Sequence, residues 1–205
     1  MVNSSFCIQS DKWMIQVPTL DKPKTVPFNS QIFHKYNQYV TIQNNRLLLS
    51  TPSNGGTFNG SPNRPRTELK QKKKWSPLDL NELQFSFKIL NARMISFLQI
   101  FNGDDDWKKS PTVLICFWKK TEGIYCKYRE NKDSNAQRKF IAKVDQNTRV
   151  NVHVKVENGK VTFMFENRKI FSFNTTRSKC FFKAGNYVQS NDQGLTRMSI
   201  YSIKL

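Results

Sequence analysis

The chain has 205 residues and a mass of 24.0 kDa, enough for one domain that buries about 70% of its unfolded surface and too short for two comfortable ones. Thirty-three Lys and Arg against fifteen Asp and Glu leave a formal charge of +18. The favoured partner is therefore a polyanion: acidic polysaccharide, nucleic acid or an anionic membrane. A disordered polycation is excluded, because 13% of the residues are aromatic, sixteen of them Phe, and those rings have to be buried.

Period-two alternation recurs from end to end and helical periodicity is nearly absent, so the chain reads as all-β. In chain order, strands are predicted at residues 13–17, 39–43, 46–50, 67–71, 83–89, 97–101, 113–119, 124–128, 150–156, 161–165, 169–173, 180–189 and 196–205. The clearest are Leu83, Phe85, Phe87 and Ile89, and Val150, Val152, Val154 and Val156. The latter run joins Val161, Phe163 and Phe165 through Asn158-Gly159, a type I′ hairpin signal. Strands at this spacing predict a two-sheet antiparallel sandwich. Residues 50–65 and 130–137 read as long loops and candidate lids. With no internal repeat or linker, residues 1–205 are expected to form a single domain.

No apolar run approaches the ~18 residues of a membrane span; the longest, Val113 to Trp118, is strand-sized, so no membrane partner is expected. Phe6, Cys7 and Ile8 run straight into Gln9, Ser10, Asp11 and Lys12, and no signal-peptide core is visible. Cys7, Cys116, Cys126 and Cys180 lack CxxC spacing, with only His34 and His153 as added ligands, so no metal site is expected. Cys116 and Cys126 flank a short turn and either pair across a hairpin or stay solitary buried thiols. Asn3, Asn59 and Asn174 each begin a glycosylation sequon.

Three strands carry polar side chains on a shared face. Alternation sets Arg66, Glu68 and Lys70 opposite Thr67 and Leu69, and sets Gln99 and Phe101 opposite Leu98 and Ile100. Lys183, Gly185, Tyr187 and Gln189 likewise share one side of their strand. Side by side, these strands form a cationic, amide-bearing surface around a glycine that lets a ligand approach the backbone. Such a surface suits a carboxylated sugar chain; an ordinary solvated sheet face is the plain alternative.

Arg66-Thr67-Glu68-Leu69-Lys70, Gln99-Ile100-Phe101 and the run from Phe181 to Gln189, in that order, resemble the three signatures of polysaccharide lyase family seven, the alginate lyases: R-(S/T)-E-L-R, Q-(I/V)-H and Y-F-K-x-G-x-Y-x-Q. The similarity extends to the opening Trp13 to Pro18, to Gly103-Asp104 and to the closing Met198 to Leu205. The resemblance implies a β-jelly roll of concanavalin-like architecture with a concave sheet as substrate cleft. It further implies cleavage of a uronate polymer by β-elimination, with no cofactor.

That reaction makes three demands: the uronate carboxylate must be neutralised, a base must take the C5 proton, and an acid must protonate the departing O4. By motif position the resemblance assigns the carboxylate to Arg66 and Gln99, with Glu68 holding Arg66. Tyr187 supplies the proton to O4, and Lys183, Lys70, Phe101 and Gln189 line the substrate. A free tyrosine ionises near pH ~10, so service as a base calls for cations beside it; Lys183 and Arg66 are the candidates. The sequence departs from the pattern at Lys70, which replaces an Arg and loses its fork. It departs again at Phe181, which replaces a Tyr and is expected opposite Lys183 in the core, and at Phe101, which stands where the family has its histidine. Phenylalanine neither neutralises a carboxylate nor takes a proton, but it stacks on a sugar face. His34 and His153 are given no role. The basic run Lys70, Lys72, Lys73 and Lys74 is either a solvated edge or a substrate contact, and Trp75 is expected to be packing.

A lyase acting on alginate of mannuronate type or on a glucuronan-like polymer is thus expected, with a catalytically silent polysaccharide-binding jelly roll as the alternative. Nucleic acid is disfavoured, since no RNA- or DNA-binding motif is present. A monomer is expected, in an extracellular or virion-associated setting.

Overall fold

In the computed structural model, which describes residues 8–57, 64–102, 111–131, 134–176, 178–190 and 194–205, fifteen strands account for nearly all regular structure. They are β1 (Trp13–Val17), β2 (Lys24–Pro27), β3 (Val40–Gln43), β4 (Arg46–Pro52), β5 (Arg66–Gln71), β6 (Asn81–Asn91), β7 (Met94–Asn102) and β8 (Val113–Trp118). There follow β9 (Gly123–Tyr128), β10 (Gln137–Lys143), β11 (Arg149–Glu157), β12 (Lys160–Phe165), β13 (Arg168–Asn174), β14 (Cys180–Val188) and β15 (Leu195–Lys204). Among the described residues the one α-helix, α1 (Ile32–Lys35), is a single turn.

The strands form two antiparallel sheets, one in the order β10-β9-β8-β7-β14-β5-β1-β2 and the other β13-β12-β11-β6-β15-β4-β3. Alternating apolar residues of both sheets meet in one core, where Trp13, Phe85, Phe87, Phe97, Phe163 and Phe182 are fully enclosed. This is the expected jelly-roll sandwich. Asn158 and Gly159 both take positive φ, 50° and 72°, closing the β11–β12 hairpin in the predicted I′ form. Two further hairpins turn through Asn44-Asn45 and Glu166-Asn167, again at positive φ.

Two expectations need correction. β4 continues to Pro52, so the loop expected from residue 50 starts later. β2 and β10 were not predicted: β2 is a four-residue edge strand ending in Pro27, and β10 is exposed along most of its length, so neither carries a buried alternation to read. Of the two readings left open for Cys116 and Cys126, solitary buried thiols hold, since both are free and buried. Cys116 pairs with Tyr125 while Cys126 pairs with Ile115, and that one-residue offset turns the two thiols to opposite faces of the sheet. Cys7, Asn3, Asn59, Gly103 and Asp104 lie outside the described residues, as does the middle of the loop before Pro65.

A buried polar knot couples the two sheets behind β5 and β14. Thr51 Oγ1 donates to the Asn186 carbonyl at 3.1 Å and accepts from the Thr67 amide at 3.1 Å. Thr67 Oγ1 donates to the Ser50 carbonyl at 2.7 Å, and Asn186 Nδ2 to the Thr196 carbonyl at 3.0 Å. Each of these polar groups is satisfied, so the knot fixes where Arg66 and Tyr187, their strand neighbours, emerge on the other face.

Candidate active site

The three motif strands lie adjacent, in the order β7-β14-β5. Tyr187 pairs with Arg66, Gly185 with Glu68, and Lys183 with both Lys70 and Gln99. Directly paired residues of antiparallel strands share a face, so Arg66, Glu68, Lys70, Gln99, Lys183 and Tyr187 stand on one side of the sheet, away from the core, as expected. A bulge between Ala184 and Tyr187 in the β14–β7 ladder bends the strand here, as bulges do beside functional sites.

Glu68 is the hub. Its carboxylate is wholly buried, accepts a hydrogen bond from Gln99 Nε2, and stands 3.6 Å from Lys183 Nζ and 3.9 Å from Arg66 Nη1. Lys183 Nζ also donates to Gln16 Oε1 at 3.1 Å, a partner on β1 that no motif pointed to. Burial pulls Lys183 down from its ordinary 10.5 to about 8; Glu68 opposes the shift, while Arg66 and Lys70 add to it. Arg66 lies over Tyr187, its guanidinium carbon 3.9 Å from the ring centroid. Two cations thus flank one carboxylate, with Lys70 on the same face, and the surplus positive charge is of the sign a uronate needs.

Phe101 lies at the rim, half-buried, with Lys183 Nζ 4.5 Å from its ring centroid. Phe181 corrects an expectation. It is two residues from Lys183, so it shares the Lys183 face; it pairs with Phe101, ring to ring at 5.5 Å, and Lys70 Nζ stands 5.1 Å from its centroid. Its apolar type suggested the core, but the period of the strand decides. Gly185 also departs from expectation. At φ 153°, a Cβ there would meet the Thr67 carbonyl oxygen at 2.6 Å and the Glu68 Cα at 2.7 Å. The glycine therefore serves the close approach of β14 to β5, and not that of a ligand. Gln189 is not drawn into the group: it follows β14 and turns its amide to the Val188 carbonyl at 3.3 Å.

His153 sits on the other sheet, 3.4 Å from Glu82, and His34 is exposed on α1; neither belongs to the cleft sheet. Trp75 is packing, tilted against Phe182 with ring centroids 4.8 Å apart and its Nε1 donating to Gln71 Oε1. Lys72, Lys73 and Lys74 are exposed beyond β5. Among the described residues no group of three or more His, Cys, Asp or Glu is placed to hold a metal, and no helix is long and apolar enough to cross a membrane.

Among solved structures, alginate lyase A1-II′, a member of polysaccharide lyase family 7, is similar with a TM-score of 0.81 and 20% identity over 96% of this chain and 95% of that one. An alginate lyase from Pseudomonas aeruginosa gives a TM-score of 0.85 at 16% identity, covering 96% and 98%. A variant of the A1-II′ lyase solved with the substrate GGMG gives 0.81 at 20% identity, covering 96% and 93%. At these identities the likeness is one of fold. No curated protein sequence matches significantly. The family model described as "Alginate lyase" matches residues 8–205, nearly the whole length over which the three motifs, the sandwich and the Glu68-centred cluster are distributed, and the chain therefore belongs to the alginate lyase family.

Proposed function

We propose that this polysaccharide lyase cleaves mannuronate- or glucuronate-type linkages by a syn β-elimination in which Tyr187 serves both as base and as acid. Family membership carries the class of reaction on a uronate polymer. The observation behind the finer assignment is the composition of the cleft face: Tyr187 and Arg66 stacked on it, Phe101 where the motif calls for histidine, and neither His34 nor His153 on that sheet.

Arg66 and Gln99 bind the uronate carboxylate and take up the charge that develops on it as the C5 proton leaves. Glu68 orients both, through its hydrogen bond from Gln99 and its ion pair with Arg66. Tyr187, acting as base in its deprotonated form with the Arg66 guanidinium held against its ring, takes the C5 proton. The C5 electron pair becomes the C4–C5 double bond, the C4–O4 bond breaks, and Tyr187 returns its proton to O4. In β-D-mannuronate and D-glucuronate the C5 proton and O4 lie on the same side of the ring, within reach of one phenol. In α-L-guluronate they lie on opposite sides, and a base is needed on the far face, where Phe101 offers none. Phe101 and Phe181 instead provide an apolar wall for a sugar ring.

The test is a panel of polymannuronate, polyglucuronate and polyguluronate, monitored for absorbance of the unsaturated product. Cleavage of the first two and little of the third is expected, with Phe101→His broadening activity toward guluronate. Efficient cleavage of pure polyguluronate by the unaltered protein refutes the single-tyrosine scheme.

A further inference from the structure

Tyr187 belongs to a row of paired residues that crosses the sheet. Arg66 pairs with Tyr187, Tyr187 with Ser96, Ser96 with Cys116, Cys116 with Tyr125 and Tyr125 with Phe140. A neighbouring row runs from Lys183 through Gln99 and Leu114 to Lys127 and Arg138. Paired residues share a face, so the far ends of both rows stand on the cleft side, on β9 and the edge strand β10. Tyr125 is three strand spacings from Tyr187, about 14 Å, more than one sugar away.

At that end the side chains form a built surface. The Arg138 guanidinium carbon lies 4.1 Å from the Tyr125 ring centroid and 5.2 Å from that of Trp118. Tyr125 meets Phe140 edge-on at 5.2 Å and Trp118 at 6.5 Å. Phe140 is 50% exposed, and its ring lies over Gly123 so closely that a Cβ there would stand 2.6 Å from Phe140 Cε2. An exposed aromatic on an edge strand invites edge-to-edge association, so its close seating over a glycine and its edge-on contact with the tyrosine that Arg138 covers call for an explanation other than packing. Arg138 and Lys127 are exposed, and among the described residues neither is ion-paired with a carboxylate.

We infer that Trp118, Tyr125, Phe140, Arg138 and Lys127 form a remote subsite that holds a uronate residue of the polymer several sugars from the scissile bond. The rings offer an apolar face for a pyranose and the two cations meet its carboxylate. This assignment rests on the lyase function proposed above, because it takes its ligand from the cleft it adjoins. It makes the enzyme length-sensitive: oligomers that reach the platform bind more tightly than those that end short of it.

The test uses oligomannuronates of increasing length with the full chain. Phe140→Ala and Arg138→Gln should each raise KM for long oligomers by about three- to tenfold, as the loss of a ring or a cation contact implies, and leave kcat and short-oligomer turnover unchanged. Binding to the Tyr187→Phe protein should change tryptophan fluorescence only for long oligomers, and Trp118→Phe should remove that change. Equal KM values for long oligomers in the platform variants and the parent, with turnover intact, overturn the subsite and leave the lyase assignment standing. Absence of both cleavage and binding for every uronate oligomer overturns both.

Discussion

The charge on Lys183 should set an upper pH limit on activity. Burial holds it at about 8 instead of 10.5; if its cationic form receives the uronate, kcat/KM falls about tenfold per pH unit above that point. Glu68, 3.6 Å away, is what keeps the value from falling further. At an effective dielectric of ~20 two charges at that separation interact by about 4 kcal/mol, equivalent to about three pH units. Glu68→Gln keeps the shape and removes the charge, so the falling limb should move down by one to three units. Lys70→Gln removes a like charge that depresses Lys183, so its limb should move up. Stability gives an independent readout. Because the folded value lies below the ordinary one, the unfolded chain binds more protons between pH 8 and 10.5, and this group makes stability rise with pH across that window. The difference in unfolding free energy between the parent and Lys183→Met should therefore change by about 3 kcal/mol from pH 8 to 10.5 and be flat below pH 8. The assays are initial rates of unsaturated-product formation and denaturant titrations at each pH. Limbs that stay fixed in both variants, or move the same way in both, refute the electrostatic role of Glu68 and Lys70.

Gly185→Ala pushes a methyl into the β5 backbone and should destabilise the protein by more than ~1 kcal/mol and lower kcat, read by thermal melting and rates. Thr51→Val strands the Thr67 amide, which loses the hydroxyl it donates to, at a cost of about 1–3 kcal/mol in denaturant unfolding. Burial raises the Cys116 thiol to about 12 and raises Cys126 as well. In a Cys7→Ser background, thiol reagents at pH 8 should therefore find no fast-reacting cysteine until the protein is unfolded.

Much of the cleft was legible in the sequence because period two is a geometric rule: the β5 and β14 motifs alternate cleanly, and the register brings Arg66, Glu68, Lys183 and Tyr187 together as alternation required. Phe181 shows the failure of residue type as a guide, since an apolar side chain on a substrate face reads as core until the strand period is counted. Gln16 stayed hidden because its role depends on β1 pairing with β5, a long-range contact with no local signature. β10 stayed hidden because an edge strand exposed on both sides has no apolar alternation to show, and with it the platform around Phe140 and Arg138. The role of Gly185 lies in how closely β5 approaches β14, and that spacing is set by the pairing of the two strands, which the glycine alone does not reveal.

The most direct test of the account is turnover of polymannuronate by the Tyr187→Phe protein. The change removes only the phenol oxygen and keeps the ring under Arg66. Unsaturated product should cease to form, while binding of the polymer and the melting temperature stay close to those of the parent. Turnover at the parental rate contradicts Tyr187 as the group that takes the C5 proton and returns it to O4.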